Sequence, residues 1–457
     1  MAPRPWTIED PQPVPQCQAR DELVLFSRNF EPGCPALGRQ RAHGEEAVVA
    51  DVLGRARLGE GAFGGRHALA LPFFDLAPLL RGRVEARLHR LLAERLLLLE
   101  LTGHRLGRRG LGRVWPNPAV GCVIVQEGRI VGRGFTQPGG RPHAETMALA
   151  QAGDAARGAT VYATLEPCSH HGQTPPCAQA LIDAGVAHVV GAIQDSDPRV
   201  NGAGFDMLRA AGIKVTTGVC AEMAAEDHAG FFAKTTLGRP FLTLKLANSF
   251  DGRIATASGD SQWITGPQAR RLVHGMRANH DAVLVGAGTA RADDPMLTVR
   301  GMGVSHQPVR VVMSRKLDLP TDSALANSIQ EAPLWLCHSD EAPVDRIRAW
   351  QGRGATLIEC AVENGRIAIF DLMQKLAERG LTRIFCEGGG TLAASLLLAD
   401  VVDHLVGFEA GVVIGAEGQP SIGALGFGKL SEAPEYELKS LQTVGGDILH
   451  TWSKVHK

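Results

Sequence analysis

The sequence is poor in several features that would mark a particular class of protein. Aromatic residues make up 5% of its 457 residues, and the formal net charge is −1, so no strong overall field draws the chain to nucleic acid or to an anionic membrane. The strongest apolar run, residues 96–99, ends at Glu100 and is far shorter than the roughly 20 apolar residues of a membrane span. We therefore expect neither a nucleic acid nor a membrane as a partner.

The cysteine pattern is not that of a disulfide framework. The chain has nine cysteines, an odd number without a repeating spacing, which argues against systematic pairing in a long chain. The first residues, MAPRPWTIEDPQPVPQ, are rich in Pro and lack the apolar core of a signal peptide. We therefore expect a cytoplasmic protein.

What is present fits a protein of more than one α/β domain. Hydrophobic residues make up 44% and charged residues 21% of the chain, as in ordinary globular proteins. From Pro116 onward, runs with strand character alternate with helical runs, which predicts α/β layers. We expect an extension over residues 1–100, a first unit over 101–220, a helical linker over 221–240 and a second unit over 241–457.

The extension mixes Pro, Arg, Gly and Leu without a sustained strand alternation, and a helix is predicted over residues 84–101. Two interpretations stay open. One is a poorly ordered extension with a single helix. The other is a translation start downstream of Met1, which needs a Val or Leu codon because the next methionine is Met147.

The strand and helix predictions are as follows. In the first unit, AVGCVIV (119–125) and RIVGRGF (129–135) predict a hairpin around a Glu-Gly turn. Further strands are predicted over 159–167, 188–194 and 214–219, and helices over 143–153, 177–185 and 204–212. In the second unit, strands are predicted over 241–247, 282–288, 308–314, 333–338, 355–360 and 381–390, and helices over 267–279, 371–379 and 391–399.

The densest chemistry in the first unit is an ordered set of His, Glu and Cys residues: His143-Ala144-Glu145, then Glu166-Pro167-Cys168, then Cys177. A zinc deaminase needs one His and two Cys as ligands, a fourth position open to water, and a carboxylate that does not bind the metal. The ion lowers the pKa of the water, and the carboxylate moves protons from the water to the leaving amine. The order and types of these residues predict a catalytic Zn²⁺ site.

The spacing of these residues has a physical sense. His143 and Glu145 are two residues apart at a predicted helix start, so they do not share a helix face, and one can bind metal while the other faces the substrate. Cys177 begins a helix, whose dipole favours a thiolate, and Cys168 follows a strand end, where α/β proteins place their chemistry. Taken singly, each is explained as well by a surface His or an ordinary thiol, so the prediction depends on the whole set.

One departure from the generic signature identifies a family. Eight residues, SHHGQTPP, separate Cys168 from Cys177, whereas the generic deaminase signature has two. With this insert, and with PNPAVGCVIV (116–125) before HAE, the first unit resembles the deaminase half of the bifunctional riboflavin-biosynthesis deaminase/reductase family. The resemblance implies that His143, Cys168 and Cys177 bind zinc, that Glu145 shuttles protons and that Asn117 helps to hold the pyrimidine.

Four segments carry the chemistry of the second unit: LKLANSFDGRIA (244–255), SGDSQWIT (258–265), VGAGTARADDPMLTVR (285–300) and CEGGGTLAASLL (386–397). In the last of them, a strand, three glycines and a helix follow one another, so that backbone N–H groups at the helix start can approach a phosphate. A plain strand-to-helix turn explains the same residues. The segment is not the GxGxxG fingerprint of a Rossmann fold.

In this order, the four segments resemble the reductase domain of the same family, which has a dihydrofolate-reductase-like fold and uses NADPH. The resemblance implies cofactor contacts from Ala247, Trp263, Thr289, Asp293, Gly389, Gly390, Thr391, Leu392, Ala393, Ala394 and Ser395. It implies substrate contacts from Ser261, Arg277, Leu297, Arg300 and Glu387. The guanidinium forks of Arg277 and Arg300 suit a sugar phosphate, whereas Trp263 is either a flat wall of the site or an ordinary core aromatic.

The reductase step needs a proton donor as well as a hydride. The cofactor carries the hydride to C1′ of the ring-opened ribosyl group, and a protein group must protonate or polarise the nitrogen of the imine formed there. We assign this role to Lys245 and Asp293. Lys245 is equally explained as an exposed strand lysine.

The resemblance excludes the first hundred residues and implies two consecutive activities. The first is zinc-dependent hydrolytic deamination of 2,5-diamino-6-ribosylamino-4(3H)-pyrimidinone 5′-phosphate, and the second is NADPH-dependent reduction of the ribosyl group to ribityl. The implied architecture is a cytidine-deaminase-like α/β/α domain followed by a dihydrofolate-reductase-like α/β domain. The implied partner is the small phosphoribosyl pyrimidine, and dimers are common in the family.

Two other functions share parts of this pattern. A nucleic-acid base deaminase uses the same zinc ligands, but the neutral total charge and a second domain without basic stretches argue against it. A structural zinc protein needs four protein ligands. The sequence supplies three, because we do not expect His170 and His171, within the insert, to bind the metal.

Overall fold

A computed structural model describes residues 99–170 and 175–455 of the chain. The predicted extension over 1–100 therefore lies outside the described residues except for its last two, and so does His171. The described part of the helix predicted over 84–101 covers residues 99–107 and continues past the predicted end; we call it α1. None of the helices in the described ranges is long and apolar enough to cross a membrane.

The first unit is built on a five-stranded sheet in the order β2-β1-β3-β4-β5. Its strands are β1 (Gly121–Gln126), β2 (Arg129–Phe135), β3 (Thr160–Ala163), β4 (His188–Gly191) and β5 (Lys214–Thr217). Its helices are α2 (Ala144–Ala152), α3 (Cys177–Asp183) and α4 (Ala203–Ala210). The β1–β2 hairpin and the β1–β3 pair are antiparallel, and β3, β4 and β5 run parallel. Each of these elements was predicted, with ends that differ by a few residues.

Small residues let α2 lie directly on the sheet. A Cβ atom at Gly134 of β2 would come within 2.0 Å of the carbonyl oxygen of Ala144, and one at Gly132 within 2.2 Å of that of Ala148. Ala144 and Ala148 are fully buried in the core of this unit. Because the helix backbone rests on the strand without intervening side chains, the first turn of α2 is held in a fixed position.

The predicted linker is helical, as expected. Helix α5 (Ala221–Leu237) connects the two units and ends at Gly238, whose φ of 65° is the left-handed conformation typical of a residue that follows a helix. Arg383 of the second unit donates hydrogen bonds to the carbonyl oxygens of Glu226 and Asp227 in this helix. The linker is therefore packed against both units.

The second unit contains a nine-stranded sheet in the order β11-β10-β9-β8-β14-β6-β15-β18-β17. Its strands are β6 (Phe241–Ser249), β8 (Ala282–Gly286), β9 (Val309–Met313), β10 (Leu334–His338), β11 (Thr356–Glu359), β14 (Arg383–Cys386), β15 (His404–Ala410), β17 (Tyr436–Val444) and β18 (Asp447–Lys454). Four short strands pair outside it: β7 (Arg253–Ala255), β12 (Val362–Glu363), β13 (Arg366–Ile367) and β16 (Gln419–Pro420). In this spatial order, all neighbouring strands between β11 and β15 are parallel. At the other end of the sheet, β18 pairs antiparallel with β15, and β17 pairs antiparallel with β18.

Helices cover this sheet: α6 (Pro267–Ala278), α7 (Ala287–Asp293), α8 (Ala324–Asn327), α9 (Val344–Gly352), α10 (Ile369–Glu378) and α11 (Gly390–Leu398). The predicted strands over 241–390 and the helices corresponding to α6, α10 and α11 are confirmed. Helices α7, α8 and α9, strands β15, β17 and β18 and the four short strands were not predicted. Strand β17 gave no signal because almost all its residues are exposed, and an exposed strand lacks the alternation of apolar and polar residues that marks one buried face.

Candidate active sites

The start of α2 presents a histidine and a glutamate in different directions. His143 is the extended residue that precedes the helix, with φ −71° and ψ 162°, and Glu145 lies in its first turn. The Glu145 side chain is 3% exposed. The close packing of α2 on β2 fixes both side chains relative to the sheet.

His143, Cys168 and Cys177 converge from three separate segments. The His143 Nδ1 atom lies 3.6 Å from the Cys168 Sγ atom and 3.3 Å from the Cys177 Sγ atom. A tetrahedral zinc ion about 2.0 Å from nitrogen and about 2.3 Å from sulfur needs an N–S separation of about 3.5 Å, so the donor atoms fit the ion. Among the residues that the structure describes, these three are the sole group with metal-binding geometry, and His170 does not belong to it.

Burial tunes the carboxyl group beside this cluster. Desolvation raises the pKa of Glu145 to about 7, with a further contribution from the charge of Cys168, while His143 and a hydrogen bond to Cys177 oppose the rise. A carboxyl group that titrates close to neutral pH is suited to accept and return a proton.

Glu166 organises the loops beside the cluster, a role that sequence reasoning did not assign to it. Its carboxylate is 3% exposed and accepts hydrogen bonds from the backbone N–H groups of Asp195, Gly202, Gly204 and Phe205, at 2.8–3.2 Å. Since Glu166 lies two residues before Cys168, these bonds anchor the ligand loop to the start of α4. The signal available in the sequence was an acidic residue near the end of the predicted strand over 159–167, two positions before a predicted ligand.

Asn117 lies in a segment that contacts the approach to His143. Its side-chain amide packs against Gly140: a Cβ atom there would come 1.7 Å from the Asn117 Nδ2 atom. The Gly139 N–H group also donates to the carbonyl oxygen of Arg113, at 2.9 Å. The segment containing Asn117 and the turn that leads to the metal-binding histidine therefore hold each other.

The second unit contains a cavity of about 940 Å³ at the carboxyl ends of its parallel strands, the edge where α/β sheets bind ligands. It brings together most of the residues predicted for the reductase site. The predicted residues that line it are Lys245, Ala247, Ser261, Trp263, Arg277, Thr289, Asp293, Leu297, Arg300, Glu387, Gly389, Gly390, Thr391, Leu392 and Ser395. Trp263 is 67% exposed and stacks on Arg270, so it is not an ordinary core aromatic.

Two of the predicted cofactor contacts, Ala393 and Ala394, lie outside the lining of the cavity. The side chains of Ala393 and Ala394 are 0% and 4% exposed and do not line the cavity. They lie on the face of α11 that packs into the protein, because a helix turns consecutive residues by about 100° and cannot direct a continuous run toward one ligand. The prediction treated the run from Gly389 to Ser395 as a unit, and only part of it reaches the cavity.

A buried charge cluster forms one wall of the cavity. Arg277 binds both carboxylate oxygens of Glu387, with a separation of 3.1 Å between the Nη2 and Oε2 atoms, and the Lys245 Nζ atom lies 3.9 Å from Glu387. Burial alone would raise the pKa of Glu387, but the charges of Arg277 and Lys245 outweigh it and hold the pKa below its usual value. Burial lowers the pKa of Lys245 and raises that of Asp293. Lys245 is therefore not an exposed strand lysine.

The start of α11 offers backbone N–H groups to the cavity. The helix begins at Gly390 without a side-chain cap, after Gly389 in an extended conformation, and the Gly389 N–H group donates to the Thr289 hydroxyl at 3.1 Å. A Cβ atom at Gly390 would come 2.5 Å from the carbonyl oxygen of Pro420, so this position requires glycine. Such an uncapped helix start suits a phosphate.

Two arginines at the cavity were missed by the sequence reasoning. Arg315 follows β9, and Arg366 belongs to the short strand β13. The Arg366 Nη1 atom lies 3.4 Å from the Ser395 hydroxyl, whereas Arg315 pairs with Glu341. No motif links them, because they come from loops separated by about fifty residues and meet only in the folded chain.

Comparison with known proteins agrees with both sites. Residues 111–193 match the model of the cytidine and deoxycytidylate deaminase zinc-binding region, and residues 240–450 match that of the RibD C-terminal domain. The riboflavin biosynthesis protein RibD of Escherichia coli is 40% identical over 354 residues, which cover 75% of this chain and 95% of that protein. The chain belongs to the RibD family. It is therefore a bifunctional deaminase and reductase of riboflavin biosynthesis.

Other RibD proteins extend the agreement from sequence to fold. RibD of Aquifex aeolicus is 38% identical, over 75% of this chain and 94% of that protein. A structure of Acinetobacter baumannii RibD matches this chain with a TM-score of 0.72 and 34% sequence identity. The match covers 80% of this chain and 100% of that one. A Thermotoga maritima structure matches this chain with a TM-score of 0.70 and 32% sequence identity, over 79% of this chain and 99% of that one. That protein is described as a diaminohydroxyphosphoribosylaminopyrimidine deaminase/5-amino-6-(5-phosphoribosylamino)uracil reductase. A cytidine-deaminase-like domain followed by the RibD reductase domain is thus the fold of this chain, and its reductase domain implies a nicotinamide cofactor.

Proposed function

We propose that this enzyme carries out two consecutive reactions on one small phosphoribosyl pyrimidine. The first is hydrolytic deamination of 2,5-diamino-6-ribosylamino-4(3H)-pyrimidinone 5′-phosphate by a domain over residues 101–220. The second is reduction of the ribosyl group to ribityl by a domain over 241–457, joined to the first by residues 221–240. The observation that carries the proposal is the convergence of the His143, Cys168 and Cys177 donor atoms beside a buried carboxyl group.

In the deaminase, three side chains hold the ion and two act on the substrate. His143, Cys168 and Cys177 would hold a zinc ion, which would supply a Lewis acid that lowers the pKa of a water molecule. Glu145, buried beside these three residues, would accept a proton from the water and deliver it to the leaving amine. Asn117 holds the pyrimidine ring with its amide group.

In the reductase, the charge cluster supplies binding and the proton. The start of α11 would hold a phosphate of the nicotinamide cofactor, which would supply the hydride. Lys245 and Asp293 supply the proton to the imine nitrogen, since burial lowers the pKa of the first and raises that of the second toward neutrality. Arg277 and Arg300 bind the sugar phosphate, and Glu387 holds Arg277 in place.

The remaining cofactor and substrate contacts follow the shape of the cavity. Trp263 supplies an exposed flat surface, and Ala247 and Thr289 lie at the ends of the strand and helix nearest the glycines. Ser261 and Leu297 line the substrate side of the same cavity.

The cofactor is NADPH rather than NADH in this proposal, because two cations stand near one end of the predicted cofactor run. Arg366 lies against Ser395, and Arg315 lines the same cavity. A 2′-phosphate is a dianion that guanidinium groups bind through charge-assisted hydrogen bonds, whereas the 2′-hydroxyl of NADH offers no charge. The positive charge of these guanidinium groups at this end of the cavity therefore favours the phosphorylated cofactor.

We also propose that the enzyme works as a homodimer in the cytoplasm. Strand β17 is the last strand of the nine-stranded sheet, and Leu438, Leu441 and Ile448 are 40–65% exposed beside it; an exposed apolar edge favours association. The zinc ligands have to be reduced thiolates, which a reducing compartment maintains. Light scattering of the native enzyme and of Leu441→Glu tests the dimer, which we expect this charge to weaken.

A coupled assay with the purified enzyme tests the two reactions in order. With the diamino pyrimidine substrate and NADPH, we expect ammonia release first, dependent on zinc, and NADPH oxidation only afterwards. With the deaminated intermediate supplied instead, oxidation should need no zinc. Oxidation of NADPH without prior ammonia release would overturn the sequence of steps, and deamination of tRNA would favour a nucleic-acid deaminase.

A further inference from the structure

The segment that carries Asn117 is supported from the side of the reductase. Residues 111–118 belong to the first unit by sequence, yet a Cβ atom at Gly112 would come 2.5 Å from the carbonyl oxygen of Ala278 and 2.9 Å from that of His280. Gly112 is buried and has a φ of +73°. The backbone here lies directly on the end of α6, with no room for a side chain between the units.

Two aromatic rings continue this contact. Trp115 packs against the hydrophobic core of the second unit, with its ring centroid 6.4 Å from that of Trp335 in an edge-on arrangement. Gly380, which follows α10, faces the same segment: a Cβ atom there would lie 3.3 Å from both the Trp115 ring and the Pro116 Cβ atom. Reductase residues therefore contact both positions immediately before Asn117.

On its other side the segment holds the deaminase site. The Asn117 N–H group donates to the Val114 carbonyl oxygen at 3.0 Å, and the Arg113 carbonyl oxygen accepts from Gly139. The Asn117 amide packs on Gly140, three residues before His143. A displacement of residues 112–116 by the reductase surface is thus passed to Asn117 and to the turn before the metal-binding histidine.

We propose that the reductase unit positions Asn117, so that Trp335 and Gly380 are positioning residues for the deaminase although they lie in the other domain. The proposal rests on the role of Asn117 in holding the pyrimidine. A displaced Asn117 weakens the binding of the pyrimidine without altering the metal ligands, and the chemical step is affected less than the affinity. The deaminase KM therefore depends on residues that neither the zinc site nor the reductase cavity contains.

Gly380→Ala is the test, and the chain contains a matched control in Gly354→Ala. Both glycines follow a helix of the second unit with a left-handed φ, +99° and +93°, so alanine strains the backbone similarly at each. The Cβ atom of Gly354→Ala meets only Ile329 and Gln330 of the reductase. That of Gly380→Ala presses on Trp115 and Pro116.

In the full-length enzyme, we expect Gly380→Ala to raise the deaminase KM by about tenfold, which corresponds to the loss of about one hydrogen bond to the pyrimidine. The kcat for deamination should change less than threefold. Zinc content, and the reductase kcat/KM measured with the deaminated intermediate, should match those of Gly354→Ala. Trp335→Leu, which removes the ring from Trp115 without backbone strain, should raise the same KM.

The outcomes separate the two proposals. Equal deaminase KM values in Gly380→Ala, Trp335→Leu and Gly354→Ala would overturn the positioning role, even if Asn117→Ala raises KM. An unchanged deaminase KM in Asn117→Ala would instead show that Asn117 does not contact the pyrimidine. If Gly380→Ala does not fold, Trp335→Leu decides alone: a raised deaminase KM with an unchanged reductase supports the proposal, and an unchanged KM refutes it.

Discussion

The candidate metal ligands of the deaminase lie within residues 143–177, whereas the walls of the reductase cavity come from residues 245–419. In the first site, three atoms must meet at distances fixed by one ion, and the sequence keeps the ligands close along the chain. In the second, the site is assembled from the ends of parallel strands and from loops between them. A metal constrains residue types tightly, but a large cavity constrains mainly shape and charge.

The two sites also use burial differently. Glu145 is buried beside the metal ligands and has its pKa raised to about 7. Glu387 is also buried, yet Arg277 and Lys245 hold its pKa below the usual value. One carboxyl group is thereby prepared to exchange a proton, and the other to remain a charged anchor. The same residue type in two buried settings therefore serves two different tasks.

The largest effect that separates the sites is expected from Glu145→Gln. The amide keeps the shape of the side chain but cannot carry the proton, so deamination should fall by about 10³-fold or more. Zinc content and the reductase kcat with the deaminated intermediate should stay at native values. Ammonia release, metal analysis and NADPH oxidation measure these quantities separately. Deamination within tenfold of the native rate would rule out the proton-shuttle role.

The corresponding change in the reductase is Lys245→Met, for which we expect kcat to fall by about 10²-fold while deamination is unaffected. Because burial lowers the pKa of Lys245 and the protonated form is the donor, native kcat should decline as pH rises through a value below the 10.5 of an ordinary lysine. Lys214→Met, at an exposed strand lysine of the other sheet, is the control. A native reductase rate in Lys245→Met would exclude this lysine as the donor.

The difference between the sites explains how far the sequence could be interpreted. The order of His143, Glu145, Cys168 and Cys177 was visible because the metal fixes both residue types and spacing. The parallel strands were visible because strands buried on both faces form short, continuous apolar runs. The hairpin was visible because a Glu-Gly turn separates two β-rich runs.

The remaining features arise only in the folded chain. Arg315 and Arg366 come from separate segments of the chain and line the same cavity in the fold. No local sequence pattern predicts that they lie close to one cavity. The helix that begins at Ala287 is short, and its first two residues were predicted as the end of the strand over 282–288. The side chains of Ala393 and Ala394 are buried and do not line the cavity. The contact of Trp115 with the other domain is likewise absent from any local signal.

A smaller effect is expected for cofactor choice. In Arg366→Gln, the charge facing the predicted 2′-phosphate is lost, which should reduce the preference for NADPH over NADH by about thirtyfold, equivalent to about 2 kcal/mol for a charge-assisted hydrogen bond. Arg353→Gln removes an exposed charge from the same domain and should leave the preference intact. Measurement of kcat/KM with both cofactors decides the point. If Arg366→Gln and Arg353→Gln show the same preference for NADPH over NADH, Arg366 does not bind the 2′-phosphate.

The smallest effect concerns stability, and it lies between the two sites. His228 of α5 is fully buried, donates a hydrogen bond from Nε2 to the Thr164 carbonyl oxygen, and has its pKa lowered by burial from 6.5 to about 4. Between these values the unfolded chain binds a proton that the folded chain does not, so folding is destabilised as pH falls below 6.5. From pH 7.5 to 5.5 this histidine should remove about 1.4 kcal/mol from the free energy of unfolding.

In His228→Asn, which keeps a polar group toward Thr164, that part of the acid-induced loss of stability should disappear. Urea unfolding of both proteins at the two pH values measures it, and an identical pH dependence would show that His228 is protonated equally in the folded and unfolded states.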